Sequence, residues 1–285
     1  MYQIITDSGC DLPKDKLAQL GVTLVPLYVN FRNENLEDSV DDGIKDLYDG
    51  LRAGETASTS AVNPDRWAAA MDPALQEGKD VLVLTFSSGL STTYQSAVIA
   101  ASELQEAYPQ RQIKVVDSLC ASLGQGLLLW YACQKQSEGM GLSELASWIE
   151  ENRLHLCHWF TVDDLMYLKR GGRVSATTAL LGTMLNIKPV LHMDNEGHLI
   201  SMSKTRGRKA AIDALAAKVS QLGLPGQNEL MYICHGDCLE DAEYLAKKLK
   251  DTTEVKEVFI GYTGAVIGSH SGPGTLAVFF LGSQR

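Results

Sequence analysis

The residues Asp80 to Phe86, DVLVLTF, form an apolar run with no polar residue inside it until Thr85. A half-buried strand alternates apolar and polar side chains. A continuous run marks a strand covered on both faces, which is the interior of a parallel sheet flanked by helices. The run passes directly into Ser87-Ser88-Gly89-Leu90-Ser91-Thr92-Thr93 and a helical pattern reaching about Ala107. This places a loop of small hydroxyl residues at the carboxyl end of a buried strand, where open α/β sheets bind their ligands.

The surrounding pattern agrees with that frame. Tyr2 to Thr6 reads as a strand, Asp11 to Leu20 as a helix stopped by Gly21, and Val22 to Phe31 as a second apolar stretch. A polar insertion follows, then a helix from Asp42 to Leu51 ended by Gly54. Thr56 to Val62 reads as a loop. Asn63-Pro64 opens a helix to about Gln76, with a capping side chain followed by proline at the first helical position. Gln112 to Asp117 is a further strand, followed by helices to Gln136 and from Leu142 to Arg153.

The pattern then changes. A strand near Leu154 to Val162 leads through a helical piece to Lys169, the turn Gly171-Gly172 and another helix to about Leu185. Ile187 to Met193 and His198 to Ser203 flank Asp194-Asn195-Glu196-Gly197, a hairpin signal and not a crossover. Helices at Arg206 to Gln221 and Leu239 to Leu249 alternate with strands at Glu229 to His235 and Val255 to Tyr262. The expectation is α/β with two domains: residues 1–160, an α/β domain with a mostly parallel sheet, and residues 161–285, an α+β domain with a mixed or antiparallel sheet.

Charge narrows the function classes. With 35 acidic against 25 basic side chains the net charge is −10. Affinity for nucleic acid rests on clustered Lys and Arg, so no nucleic-acid partner is expected. The start of the chain has no basic flank or cleavage site of an export signal, and its most apolar stretch, Leu123 to Cys133, is too short to span a bilayer. A cytoplasmic location, no integral membrane segment and reduced thiols at all six cysteines are expected.

Two segments can cradle an anion: Ser58-Thr59-Ser60 ahead of the Asn63 cap, and Ser87 to Thr93. Helix N-termini present unpaired N–H donors, to which hydroxyls add; the plainer reading of each loop is capping alone. Gly268 to Thr275 carries His270 among glycines and reads either as a ligand-facing loop or a tight turn. Leu168-Lys169-Arg170-Gly171-Gly172-Arg173 gathers three cations. There is no phosphate-loop signature, no H-E-x-x-H and no G-x-S-x-G, so no catalytic residue, metal ligand or cofactor is assigned. His158 and Cys157 point to opposite faces of their strand, against a metal reading.

Taken together, Ile5-Thr6-Asp7-Ser8, Thr59-Ser60, Ser87 to Ala97, Leu168 to Arg173, Leu185 to Leu191 and His270-Ser271-Gly272-Pro273-Gly274 resemble the DegV proteins, bacterial fatty-acid-binding proteins. The resemblance spans nearly the whole chain. It implies a long-chain fatty acid between two domains, its carboxylate on Thr59 and Ser91 with Ser60 and Thr92 nearby, and its tail in the second domain. His270 and Arg173 would face the head group or a partner. It further implies a carrier that presents the acid to a separate ATP-dependent fatty acid kinase subunit for acyl phosphate formation, and not an enzyme. Two positions depart from the family pattern: Thr92 stands where glycine is usual, and Ala61-Val62 where Gln-Pro is common. The competing classes are a stand-alone enzyme on small phosphorylated or carboxylated metabolites, with His270 as acid or base, and an interaction module using Lys204, Arg206, Arg208 and Lys209.

Overall fold

The computed structural model describes residues 2–174 and 186–285. The first half runs β1 (Tyr2–Asp7), α1 (Lys14–Gln19), β2 (Thr23–Val25), β3 (Tyr28–Phe31), β4 (Glu34–Glu37), α2 (Ile44–Arg52), β5 (Ala57–Ser60), α3 (Pro64–Gln76), β6 (Asp80–Thr85), α4 (Thr93–Ala107), β7 (Ile113–Asp117), α5 (Leu123–Ser137) and α6 (Leu142–Asn152). Four strands form a parallel sheet in the order β2-β1-β6-β7. The apolar run is one of its two inner strands, β6. Val81 and Val83 pack on one side with Trp67 of α3 and Ala97 of α4, while Leu82 and Leu84 pack on the other with Leu127 of α5 and Leu145 of α6. Both faces are thus buried, as the unbroken run requires.

Local chemistry sets the boundaries. The Asn63 side chain accepts from the Arg66 N–H at 2.9 Å, and Pro64 fills the first turn of α3. The helix expected from Asp11 begins only at Lys14, after Pro13. The apolar stretch Val22 to Phe31 divides at Pro26: β2 stays in the parallel sheet, and β3 turns away into a separate antiparallel sheet ordered β4-β3-β5. Thr56 to Val62 is therefore not simply a loop. Four of its residues form β5, whose partners lie nearly thirty residues earlier.

The second half runs β8 (Leu156–Thr161), α7 (Leu165–Arg170), β9 (Ile187–Met193), β10 (Leu199–Arg206), α8 (Arg208–Leu222), β11 (Leu230–His235), α9 (Leu239–Thr252), β12 (Glu257–Tyr262), α10 (Ala265–Ser271) and β13 (Leu276–Leu281). Among the described residues its six strands are ordered β10-β9-β8-β13-β11-β12, and only β11 and β12 pair in parallel. The expected hairpin joins β9 to β10. The helix expected up to Leu185 lies outside the described residues. Two elements differ from the sequence expectation: Gly268 to Thr275 holds the end of a helix, α10, before its glycine turn, and β13 is a strand at the centre of the sheet.

Pleating divides the second sheet cleanly. Trp159, Ile233, Val278 and Phe280 face α8 and α9, whereas Phe160, Tyr232, Cys234, Ala277 and Phe279 face Leu123 and Leu127 of α5. Helix α5 therefore packs on both sheets. No helix among the described residues is long and apolar enough to cross a membrane.

Candidate functional site

Where the strand ends of the first sheet meet the face of the second lies a cavity of about 490 Å³, within the size range of small-molecule sites. All six residues singled out from sequence line it: Thr59, Ser60, Ser91, Thr92, Arg173 and His270. Away from this polar group the wall is apolar, with Phe86 and Leu90 from the first half and Phe160, Met193, Ala277 and Phe279 from the second.

Thr59 sits on β5 opposite Val29. Its Oγ1 lies 2.7 Å from His270 Nε2, on α10. The imidazole packs against Gly171, where any side chain would collide with the ring. Burial pushes the His270 pKa down to about 4, and the neighbouring Arg173 charge adds to the shift. His270 is therefore neutral at pH 7, offering a hydrogen bond without a charge.

The fixed charge at this end belongs to Arg173. Its Nε and Nη2 donate to the Leu90 carbonyl at 3.1 and 2.9 Å, and Nη1 donates to the Gly171 carbonyl. These bonds tie the glycine turn after α7 to the loop carrying Ser91. Burial lowers the Arg173 pKa, and no acidic side chain of the described residues pairs with it. A cation held only by carbonyl dipoles favours an anion nearby.

Ser91 has two engagements. Its Oγ accepts from the Thr93 N–H at 3.2 Å and lies 2.8 Å from Thr93 Oγ1. The capping reading thus holds for this hydroxyl, and its position on the cavity wall adds to it. Ser60 and Thr92 are exposed. Thr92 occupies the cap position of α4 without a side-chain cap bond.

Several supporting residues escape a local reading of the sequence. Asp38, only 4% exposed, lies in the polar insertion, yet its Oδ1 accepts from the Val266 N–H at 2.9 Å and so fixes the start of α10. Its other oxygen accepts from Ser8 Oγ at 2.7 Å. Burial raises the Asp38 pKa to about 6 and that of Asp7 to about 7. Ser87 Oγ donates to the Gly197 carbonyl at 2.9 Å, linking the hydroxyl loop to the β9–β10 hairpin. Gly89 has a matching reason: a Cβ there would stand 2.7 Å from that same carbonyl. The glycine and hydroxyl composition of the loop hints at such a contact, but its partner is over a hundred residues away.

Comparison with known proteins extends this picture. A family model described as "Uncharacterised protein, DegV family" matches residues 1–283. A DegV domain-containing protein of Clostridium perfringens is 44% identical over 286 residues, covering 100% of this chain and 98% of that protein. A solved structure described as fatty acid binding of a DegV family protein from Thermus thermophilus is 33% identical, covers 99% of each chain and has a TM-score of 0.88. Another, from Thermotoga maritima and described as revealing fatty acid binding function, is 30% identical, covers 99% of each chain and has a TM-score of 0.85.

Proposed function

The chain belongs to the DegV family, and we propose that it binds one long-chain fatty acid in the cavity between its halves. The observation that carries this reading is the cavity's polarity: hydroxyls, a neutral histidine and an arginine without an acidic partner among the described residues at one end, and apolar walls elsewhere. In this reading Thr59 and Ser91 donate to the carboxylate, Ser60 and Thr92 lie beside it, and Arg173 and His270 face it. The first half supplies the hydroxyls of the head-group end, and the second half adds Arg173 and His270 there and encloses most of the tail with its sheet face. The fatty acid binding described for the similar proteins of Thermus thermophilus and Thermotoga maritima supports the ligand class.

The energetics favour a lipid over a small acid. Roughly a dozen buried methylenes contribute on the order of 10 kcal/mol before association costs. Each charge-assisted hydrogen bond contributes about 1.5–3 kcal/mol. The tail therefore supplies affinity, and the polar end sets which way the molecule lies.

The proposal extends to a carrier role, in which the bound carboxylate is presented to a separate ATP-dependent kinase and the chain itself is no catalyst. Its support is a second cavity of about 290 Å³, on which Thr59, Arg173 and His270 also border, together with Ser58, Tyr167 and Arg170. The head group would thus be approachable from the side away from the tail. Native mass spectrometry of freshly purified protein, then analysis of its organic extract, tests the binding. Stoichiometric fatty acid supports it; protein that is empty and takes up nothing from a mixed fatty-acid panel refutes it. Acyl phosphate formed only when chain, kinase and ATP are combined tests the carrier role.

A further inference from the structure

Two arginines border the second, smaller cavity, and the carboxylate of a fatty acid engages only one of them. That cavity, of about 290 Å³, shares Thr59, Arg173 and His270 with the large one, so the partition between the two runs through these side chains. The rest of its wall is unlike the tail cavity. Ser58 and Arg170 are polar and exposed, and Glu55, its one carboxylate among the described residues, is already paired with Arg32 at 2.8 Å. Arg170 has no acidic partner among the described residues. Its guanidinium lies over the Tyr167 ring, 4.5 Å from the centroid, and the Tyr167 hydroxyl donates to the Leu51 carbonyl at 2.9 Å. The cation is thus seated on an anchored part of the cavity wall while remaining open to solvent.

A glycine turn brings both arginines to this cavity. Gly172, at a φ of +70°, ends α7; its N–H donates to the Lys169 carbonyl and the Arg173 N–H to the Leu168 carbonyl, both at 2.9 Å. The chain therefore folds back over the last turn of the helix, and Arg173 returns to the cavity that Arg170 also lines. Two such cations exceed what a carboxylate needs. A fatty acid brings a single negative charge, which Thr59, Ser91 and Arg173 already address. A phosphoryl group brings about −1.5 to −2 and three strong acceptor oxygens, which planar guanidinium groups match with paired hydrogen bonds.

We propose that the second cavity is a phosphoryl subsite, and that the chain binds a long-chain acyl phosphate with its tail in the large cavity, its carbonyl at the Thr59–His270 partition and its phosphoryl group on Arg170 and Arg173. The inference rests on the fatty-acid reading above but not on the carrier role. The order along such a ligand, tail then carbonyl then phosphorus, is the order of the large cavity, the partition and the second cavity. Arg170 borders only the second cavity. It is therefore the residue that tells an acyl phosphate from the free acid, whereas Arg173 serves both.

The test is competition on the full chain, read by native mass spectrometry, between palmitic acid and the analogue of its acyl phosphate in which a methylene replaces the bridging oxygen and prevents hydrolysis. The analogue should bind about tenfold or more tightly than the acid, as one added charge-assisted contact implies. Arg170→Gln should bring that ratio close to one, and Arg170→Lys, which keeps the charge without the paired donors, should fall between. Lys169→Gln removes the adjacent exposed charge, which is not on the cavity wall, and should leave the ratio unchanged. An analogue bound no better than the acid, or a preference that survives Arg170→Gln, overturns the subsite and leaves the fatty-acid reading intact. A preference lost equally in Lys169→Gln reports only the net charge of the turn and overturns the assignment to Arg170. Inorganic phosphate separates the joined ligand from a free ion: phosphate that binds beside palmitic acid and depends on Arg170, while the analogue gains nothing over the acid, would overturn the acyl phosphate in favour of an independent anion. If neither acid nor analogue binds, the fatty-acid reading itself falls, and the subsite with it.

Discussion

The half built on β1, β2, β6 and β7 meets the cavity with strand ends and loops, whereas the half built on β8 to β13 meets it with the pleated face of a sheet. Strand ends present short hydroxyl side chains, backbone amides and helix starts, all polar and fixed by local hydrogen bonds such as Thr93 N–H to Ser91. A pleated face presents every second side chain, here Phe160, Cys234, Ala277 and Phe279, each also packed into the core. The hydroxyls and most of the apolar area are thus supplied by different parts of the architecture, Arg173 and His270 being the second half's share of the polar end. In the first half binding groups are largely separable from stability; in the second they are the same atoms.

That contrast is open to direct attack. Phe279→Ala should give the largest effect, a loss of about 3–5 kcal/mol in unfolding free energy by chemical denaturation, because a fully packed aromatic leaves a cavity behind. Phe279 is 2% exposed and meets His158 edge-on at a ring separation of 5.1 Å. A cost below about 1 kcal/mol would mean that the face is not the shared structural wall described here. Thr59→Val should have the opposite signature. Fatty-acid affinity, measured by titration calorimetry, should fall about ten- to a hundredfold through loss of one charge-assisted hydrogen bond, while ligand-free stability changes by less than about 1 kcal/mol. A variant that melts much earlier yet binds normally would place Thr59 with the structural residues.

The two halves should also respond oppositely to pH. Buried Asp38 has its folded pKa raised to about 6 from 3.8, so between these values the folded state holds the extra proton, and stability falls as pH rises. His270 has its folded pKa lowered to about 4 from 6.5; there the unfolded state holds the extra proton, and stability rises with pH. Between pH 4 and 6 the Asp38→Asn variant should therefore gain a more positive slope of stability against pH than the parent, and His270→Gln a more negative one. Each change is at most about 1.4 kcal/mol per pH unit, one proton's worth. Denaturation at closely spaced pH values would reject the assignment if both slopes moved the same way.

What the sequence revealed follows the same division. Elements whose signals are local were legible: the apolar run of β6, the Asn63 cap, the β9–β10 hairpin. So were the six cavity residues, through hydroxyl loops at strand ends and the resemblance to a family, although position on a wall leaves their roles to experiment. Strand β5 was hidden because Ala57-Ser58-Thr59-Ser60 has no apolar alternation and is a strand only through pairing with β3. Helix α10 was hidden because Gly268, Ser269 and Ser271 are modest helix formers and its start is fixed by Asp38, far earlier in the chain. Neither signal exists within a local window.

The smallest effect belongs to Thr92→Gly, which introduces the residue that the resemblance to the family implies at this position of the cavity wall. Thr92 is exposed, makes no side-chain cap bond, and holds a φ of −81°, which glycine adopts without difficulty. Ser91 already accepts from the first N–H of α4, so the substitution should cost a few tenths of a kcal/mol in stability and change fatty-acid affinity by less than threefold, about 0.6 kcal/mol. If affinity instead falls as far as in Thr59→Val, the threonine hydroxyl contributes to holding the carboxylate. The polar end would then be centred on the β6–α4 loop, with β5 in a supporting place, and the head group would sit closer to the first sheet than the Thr59–His270 pair implies.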